Sequence, residues 1–385
     1  MKILRYVDQR YPLSKIPQKI NLLEQPDIQR ILIIKWGAMG DIANSTAVIE
    51  DIFQAFPHAS IDLNTMSAYE PMFAADKRFN RIFSVDLRGK ERGWPGIKHW
   101  LKLVRQGRYD VVIDLQSNDR SRFMLILLQL TGRGIRYRVG NNPCWPYNIT
   151  PPKLPVNTHG FDRFRATLTS AGIPVHTASP VLHIPPANQE SAAGILAEHG
   201  LEPKQFAILA PGCHRSSHLR RWGVDNYAAL AAKLHEAGVE KIVILGGPDE
   251  RDDCRLIAEK CPGYAINLCE KTQILDVPVL AESALCVIAN DTGIAHLAAS
   301  TATPMLVVFG PSDPHRAKPV GSRIIGIQVD IADLPCLNCY YKQPCSHHSC
   351  MKAITPEFAF AELQTLLGTD VPGQGVGTNN DATAM

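Results

Sequence analysis

The sequence predicts an α/β protein built from two doubly wound domains, and three observations carry that prediction. Short apolar runs rich in β-branched residues alternate with helical patterns along most of the chain, which is the signature of parallel sheets covered on both faces. A break at residues 179–190 divides that alternation into two series, and 385 residues are enough for two domains, each with its own core. Small polar turns containing glycine follow several of the strands, where sheets of this kind bind ligands beyond their carboxyl ends.

The elements follow in chain order. Residues 1–29 form an N-terminal extension of basic character, either a packed or flexible arm or an aid to membrane attachment. Strands are predicted at Arg30–Lys35 (RILIIK), Ser60–Thr65 (SIDLNT), Arg81–Asp86 (RIFSVD) and Tyr109–Gln116 (YDVVIDLQ), with helices between them. Asn141–Pro155 (NNPCWPYNITPPKLP) is too rich in proline for regular structure and reads as a surface loop. The break SPVLHIPPANQE then sets the domain limits, residues 30–183 and 184–354. The second series contains Phe206–Gly212 (FAILAPG), the segment His218–Leu234, Ile242–Glu250 (IVILGGPDE), Leu285–Ala289 (LCVIA) and Met305–Phe309 (MLVVF). A last helix, residues 355–368, is apolar on one face, and the Gly-, Asn- and Thr-rich residues 369–385 read as a disordered tail.

Composition narrows the class. The chain is 45% hydrophobic and 20% charged, as in water-soluble globular proteins, and no apolar stretch is long enough to span a bilayer. Its first residues lack the apolar core of a secretory signal, which predicts a cytoplasmic location. Residues 1–185 hold 25 Lys and Arg against 15 Asp and Glu, a net +10, whereas the remainder has 15 against 22, a net −7. The first half therefore suits an anionic partner or simply presents a solvated basic surface. No RNA- or DNA-binding motif accompanies that charge, so nucleic acid is not expected, and a phosphorylated lipid at a membrane surface fits at least as well. Cys213, Cys254, Cys261, Cys269 and Cys286 fall singly within strand and helix patterns and read as reduced, structural thiols.

Two turns carry the chemistry. Between the strands LCVIA and MLVVF, Asp291, Thr292 and Gly293 open a helix through His296, so that unpaired backbone N–H groups face the sheet's carboxyl edge and suit a phosphate. An Asp-Thr pair at that position is also an ordinary helix cap. After the first strand of the first domain, Gly37 and Gly40 allow a tight path and Asp41 stands near a helix start, as a cap or as a carboxylate presented to the cleft.

In order and character these pieces resemble glycosyltransferase family 9, the lipopolysaccharide heptosyltransferases. The resemblance rests on DTG-x-x-H-x-A-A followed by FGP-[ST]-x-P, matched here by DTGIAHLAA and FGPSDP, and on the turns at Asp41, Arg220 and Glu250. It implies a GT-B architecture, two Rossmann-like domains facing across a cleft, with an acceptor-binding first domain, a sugar-nucleotide-binding second domain and a terminal helix that packs back on the first. It further implies an inverting transfer of heptose from ADP-heptose, or a related nucleotide sugar, to the inner core of an anionic lipid A precursor, by a cytoplasmic enzyme peripheral to the inner membrane. Asp41 corresponds to the family's general base. Arg220 stands where the family has a lysine two residues before the tryptophan, RRWG replacing K-x-WP, and Gly223 replaces the proline. Glu250 matches a glutamate that contacts the donor ribose; Asp291, Thr292, Gly293 and His296 would complete the donor site. No D-x-D triplet occurs, in keeping with an enzyme that uses its own charges in place of an obligatory metal, and no cofactor is expected.

Cys336, Cys339, Cys345 and Cys350 form a C-x2-C-x5-C-x4-C series, compatible with structural zinc and equally with one irregular loop. Two other functions compete: a nucleotide-sugar epimerase of the same architecture, whose signature residues are not evident, and a non-catalytic scaffold, kept open by the departures at Arg220 and Gly223.

Overall fold

The protein is described by a computed structural model that covers residues 1–385 except 9, 19, 87, 88, 90, 133, 214, 340–344 and 369–385. Its strands are β1 (Ile3–Tyr6), β2 (Arg30–Ile34), β3 (Ser60–Thr65), β4 (Phe79–Ser84), β5 (Val111–Asp114), β6 (Tyr137–Val139), β7 (Phe206–Ala210), β8 (Lys241–Ile244), β9 (Ala265–Asn267), β10 (Cys286–Asn290), β11 (Met305–Val308) and β12 (Ile324–Val329). The helices are α1 (Met39–Ala55), α2 (Trp94–Gly107), α3 (Asp119–Leu130), α4 (Gly160–Ser170), α5 (Pro186–Glu198), α6 (Val224–Glu236), α7 (Arg251–Lys260), α8 (Asp276–Ser283), α9 (Gly293–Ala298), α10 (Pro314–Ala317), α11 (Ser349–Lys352) and α12 (Pro356–Leu367).

Strands β2 to β6 form one parallel sheet in the order β4-β3-β2-β5-β6. The second sheet runs β1-β12-β11-β10-β7-β8-β9, parallel except for the antiparallel β1 at its edge. Both are wound in two directions from an interior strand, β2 or β7, and this is the GT-B arrangement expected from the sequence. Alternation within each strand divides the cores. In β2, Ile31 and Ile33 face a core that runs on through α1 and α4 into the second sheet, while Leu32 and Ile34 face the layer of α2 and α3. In β7, Ile208 and Ala210 join the shared core, and Ala207 and Leu209 point to the outer layer of α6, α7 and α12. The chain passes from one sheet to the other between α4 and α5, and α5 packs on α8.

The expectations fail for the terminal helix and in part for the proline-rich segment, and of the alternatives for residues 1–29 the packed arm is the one found. The terminal helix α12 does not return to the first domain: Ala359, Leu363 and Leu367 are buried in the outer core of the second sheet, beside α6, where Lys233 pairs with Glu357 at 3.1 Å. The connection between the lobes is made at the other end of the chain. Residues 3–6 extend the second sheet, Asp8 meets the buried Lys318 ammonium at 2.5 Å, and Tyr11 N–H donates to Asp162 of α4 at 3.0 Å, so the basic extension is a packed strap across both lobes. The proline-rich segment is only partly a surface loop, because Tyr147, Ile149 and Leu154 are buried and the Tyr147 hydroxyl donates to Asp114 at 2.6 Å. Residues 369–385, expected to be a disordered tail, lie outside the described residues. No helix among the described residues is long and apolar enough to cross a membrane.

Candidate active site

The carboxyl ends of β2 and β10 face each other across a cavity of ≈ 710 Å³. Its first wall comes from the start of α1 (Met39, Gly40, Asp41, Asn44) and from Tyr69; the opposite wall comes from the turns after β7, β8, β10 and β11. What brings the walls together is a pair of glycines. A Cβ on Gly40 would lie 2.5 Å from Cδ2 of His296, and one on Gly293 would lie 2.6 Å from Sδ of Met39. Helices α1 and α9 therefore meet through positions where any side chain would collide.

Asp41 occupies the first turn of α1 with its carboxylate about half exposed (52%) to the cavity. Its side chain is not the helix cap, which falls on Ala38 without any side-chain bond. Lys35, at the end of β2 and only 2% exposed, holds this corner: its ammonium donates to Gly37 O at 3.0 Å and Gln116 Oε1 at 3.3 Å and stands 3.8 Å from Asp41 Oδ2. Burial pushes the Lys35 pKa down, and Asp41 and Asp114 act against that push. Sequence reasoning missed Lys35, because a lysine closing a strand is ordinarily an edge residue.

Across the cavity, neither Asp291 nor Thr292 caps α9. Thr292 is the cap residue but its side chain makes no cap bond, and Asp291 instead faces Arg220, with Nη1 3.1 Å from Oδ2. The capping alternative thus fails at both turns, and these side chains line the cavity. His296 is buried, its Nδ1 has no hydrogen-bond partner, and burial pushes its pKa below the usual histidine value against the pull of Asp291 and Asp41, so the ring is neutral near pH 7. The two arginines of the RRW segment divide. Arg220 lines the cavity, whereas Arg221 is tied to Asp253 at 3.0 Å, Cys213 O at 3.1 Å and Asp249 O at 2.7 Å. Gly223 has φ of 106°, which a proline cannot adopt, so the turn into α6 as it stands here requires glycine where the resemblance led to the expectation of proline.

Glu250 is buried at the cavity wall, and its Oε2 accepts the Gly247 N–H at 2.6 Å. Burial raises its pKa, with the Gly247 bond opposing. It therefore shapes its own turn as well as lining the site. Tyr69, Asn44, Thr272, Gln273, Ser312 and Arg316 also line the cavity and were not named as site residues from the sequence. Ser312, whose buried hydroxyl has no partner, was legible as the serine of FGPSDP. Tyr69 is marked by nothing local.

Among the described residues no group of three or more His, Cys, Asp or Glu side chains could hold a metal ion. In the C-terminal cysteine segment, Cys336 Sγ lies 3.9 Å from His347 Nε2, Cys345 Sγ accepts the His348 N–H at 3.3 Å, and Cys350 is buried. All ten cysteines are free thiols. The site thus sets a partly exposed carboxylate against an arginine, hydroxyls and turn N–H groups, a layout able to take a proton on one side and receive an anion on the other.

Comparison with known proteins gives the family and the fold. Residues 97–347 match glycosyltransferase family 9 (heptosyltransferase). Lipooligosaccharide heptosyltransferase 2 of Haemophilus influenzae is 23% identical over 352 residues, covering 88% of this chain and 99% of that protein. Among solved structures, the family 9 glycosyltransferase of Veillonella parvula superposes with a TM-score of 0.74 at 20% identity, covering 89% of this chain and 97% of that one. The Escherichia coli heptosyltransferase WaaC with ADP gives 0.65 at 19% identity, covering 88% and 100%.

Proposed function

The chain belongs to glycosyltransferase family 9, and from that premise we propose that it transfers a heptose from ADP-heptose, with inversion, to the inner core of an anionic lipid A precursor. The observation that carries the reading is the placement of the half-exposed Asp41 carboxylate on one wall of a single cavity, with Arg220, Thr292, Gly293 and His296 on the other. The names of the similar proteins support heptose as the sugar, and the ADP in the WaaC structure supports the donor base.

In this reading Asp41 accepts the proton of the acceptor hydroxyl as its oxygen forms a bond to the anomeric carbon, and the bond from that carbon to the diphosphate breaks on the opposite side. Arg220 and the N–H groups around Thr292 and Gly293 receive the negative charge that develops on the diphosphate. His296, neutral and held against Gly40, orients the junction between base and leaving group. Glu250 binds the donor ribose through the carboxylate edge not used by Gly247, and Asp291 holds Arg220 in place. The residues present supply the positive charge that a metal would otherwise bring. The lipid acceptor places the reaction at the cytoplasmic face of the inner membrane.

Transfer of heptose from ADP-heptose to a heptose-deficient lipid A-core precursor, compared with UDP- and GDP-sugars, tests the reading. Transfer by the wild type, lost in Asp41→Asn while ADP binding persists, is the expected result. Isomerisation or hydrolysis of the donor without an acceptor would replace the reading with an epimerase.

A further inference from the structure

The outer layer of the first lobe carries two unlike stripes side by side. In α3 the buried residues Ser121, Met124, Leu125 and Leu128 face the sheet, and the opposite side presents Phe123, Ile126 and Leu130, so this helix is apolar toward solvent as well as toward the core. Phe123 is 44% and Leu130 69% exposed. In the adjoining α2 the buried set is Gly96, Trp100, Leu101, Val104 and Gly107, and the outward side presents Lys98, Lys102 and Arg105, with no acidic residue between Trp94 and Tyr109. Arg105 donates to Thr131 O at 3.0 Å and so fixes the two helices to each other. The nearby ion pairs, His99 with Glu91 and Arg136 with Asp27, leave Lys98 and Lys102 to the solvent.

Aromatic side chains mark one end of this face. Trp94, 62% exposed, opens α2, and Trp145, 50% exposed, follows β6, its carbonyl accepting from Arg122 Nε at 2.9 Å. Helices that follow parallel strands begin at the carboxyl edge of the sheet, so Trp94, Phe123 and Trp145 stand at the end of the lobe that also bears the cavity. An apolar stripe flanked by lysines and arginine, with tryptophans at its border, has the chemistry of a surface that lies in a bilayer interface, and its charge complements anionic headgroups.

We propose that the face formed by α2, α3 and Trp145 docks on an anionic lipid bilayer, Phe123, Ile126 and Leu130 entering the acyl boundary and Lys98, Lys102 and Arg105 meeting the headgroups, with the cavity entrance held toward the membrane. For its purpose the docking rests on the lipid acceptor proposed above; as a surface it can be tested separately.

The test is co-sedimentation of the full-length protein with phosphatidylglycerol and with phosphatidylcholine vesicles, alongside Phe123→Ser/Leu130→Ser and Lys98→Glu/Lys102→Glu. Binding to phosphatidylglycerol alone is expected, weakened about fivefold for each lysine lost and abolished by the apolar pair. Brominated lipid should quench the wild-type tryptophan emission, since Trp36, Trp100 and Trp222 are buried and the two exposed tryptophans stand on this face. ADP affinity and transfer to a detergent-dispersed acceptor should be unchanged in all variants, which also shows that they fold. Equal binding of the variants and wild type, no binding by the wild type, or a wild-type dimer in sedimentation velocity that the apolar pair dissociates would each overturn the proposal. Vesicle binding without transfer activity would leave the surface standing and remove the acceptor reading instead.

Discussion

Gly40 and His296, 256 positions apart in sequence, are in direct contact: a methyl group added to Gly40 would sit 2.5 Å from the imidazole Cδ2. The helix that carries Asp41 and the helix that follows the Asp291-Thr292 turn are thereby held at one separation. Gly40→Ala must displace the ring or part the helices, an overpacking cost of about 1–3 kcal/mol. We expect a lower Tm and a transfer rate reduced at least tenfold. In the Gly40→Ala background, His296→Ala should recover much of the Tm and none of the rate. Additive effects on stability in that double-mutant cycle would show that the contact does not set the spacing.

Arg220 and Arg221 should separate function from folding. Arg220 faces the cavity and Asp291, so Arg220→Gln keeps a donor for Asp291 but removes the cation that the proposed reading assigns to the diphosphate. ADP affinity is expected to fall roughly ten- to hundredfold, with Tm nearly kept. Arg220→Lys, which restores the residue typical of the family, should retain most of the affinity. Arg221→Gln loses the bonds to Asp253, Cys213 O and Asp249 O and should lower Tm with a smaller effect on ADP. Titration calorimetry beside thermal melts reads both quantities, and equal behaviour of the two positions would contradict the division.

Restoring the family proline by Gly223→Pro should harm the protein. The residue sits at φ 106°, ψ 149° at the start of α6, and a Cβ there would meet nothing within 4 Å, so the cost is one of backbone conformation alone. Forcing φ to the proline value is expected to destabilise by about 1–3 kcal/mol in urea unfolding, and Gly223→Ala by less. An unchanged midpoint for Gly223→Pro would mean that the turn adapts freely.

These positions show what could be read from sequence and what could not. The strands Phe206–Ala210 and Met305–Val308 were visible because burial on both faces demands uninterrupted apolar runs, and Ser60–Thr65 because Ile61 and Leu63 alternate with polar residues. The Asp41 and Asp291-Thr292-Gly293 turns were visible because a strand-to-helix turn needs small and polar residues. Strand β1 was not, since Ile3–Tyr6 is a strand only by pairing with Val329–Gly326, far away in sequence. Lys35 and Tyr69 were hidden for the same reason: what makes them part of the site is the convergence of distant segments. The direction taken by α12 was misjudged because an apolar helix face says that it will be buried and not against which sheet.

His159 makes stability depend on pH. Its Nδ1 accepts the Phe161 N–H at 3.0 Å and its Nε2 hydrogen donates to Lys318 O at 2.8 Å, so the neutral tautomer is fixed from both sides and a second proton would remove the first bond. Burial pushes its pKa down from 6.5 to about 4, with the Lys318 bond opposing. Above about pH 6.5 the ring is neutral folded and unfolded, and its contribution is complete. As pH falls from 6.5 toward 4 the unfolded chain takes up a proton that the folded protein refuses, and stability is lost across that window, up to about 3 kcal/mol. Urea unfolding at pH 7.5 and pH 5 should therefore differ more for the wild type than for His159→Gln, whose amide can reproduce one of the two bonds and cannot titrate. An equal pH response in both proteins would place the acid sensitivity elsewhere, with His296, the other buried histidine among the described residues, the first residue to substitute.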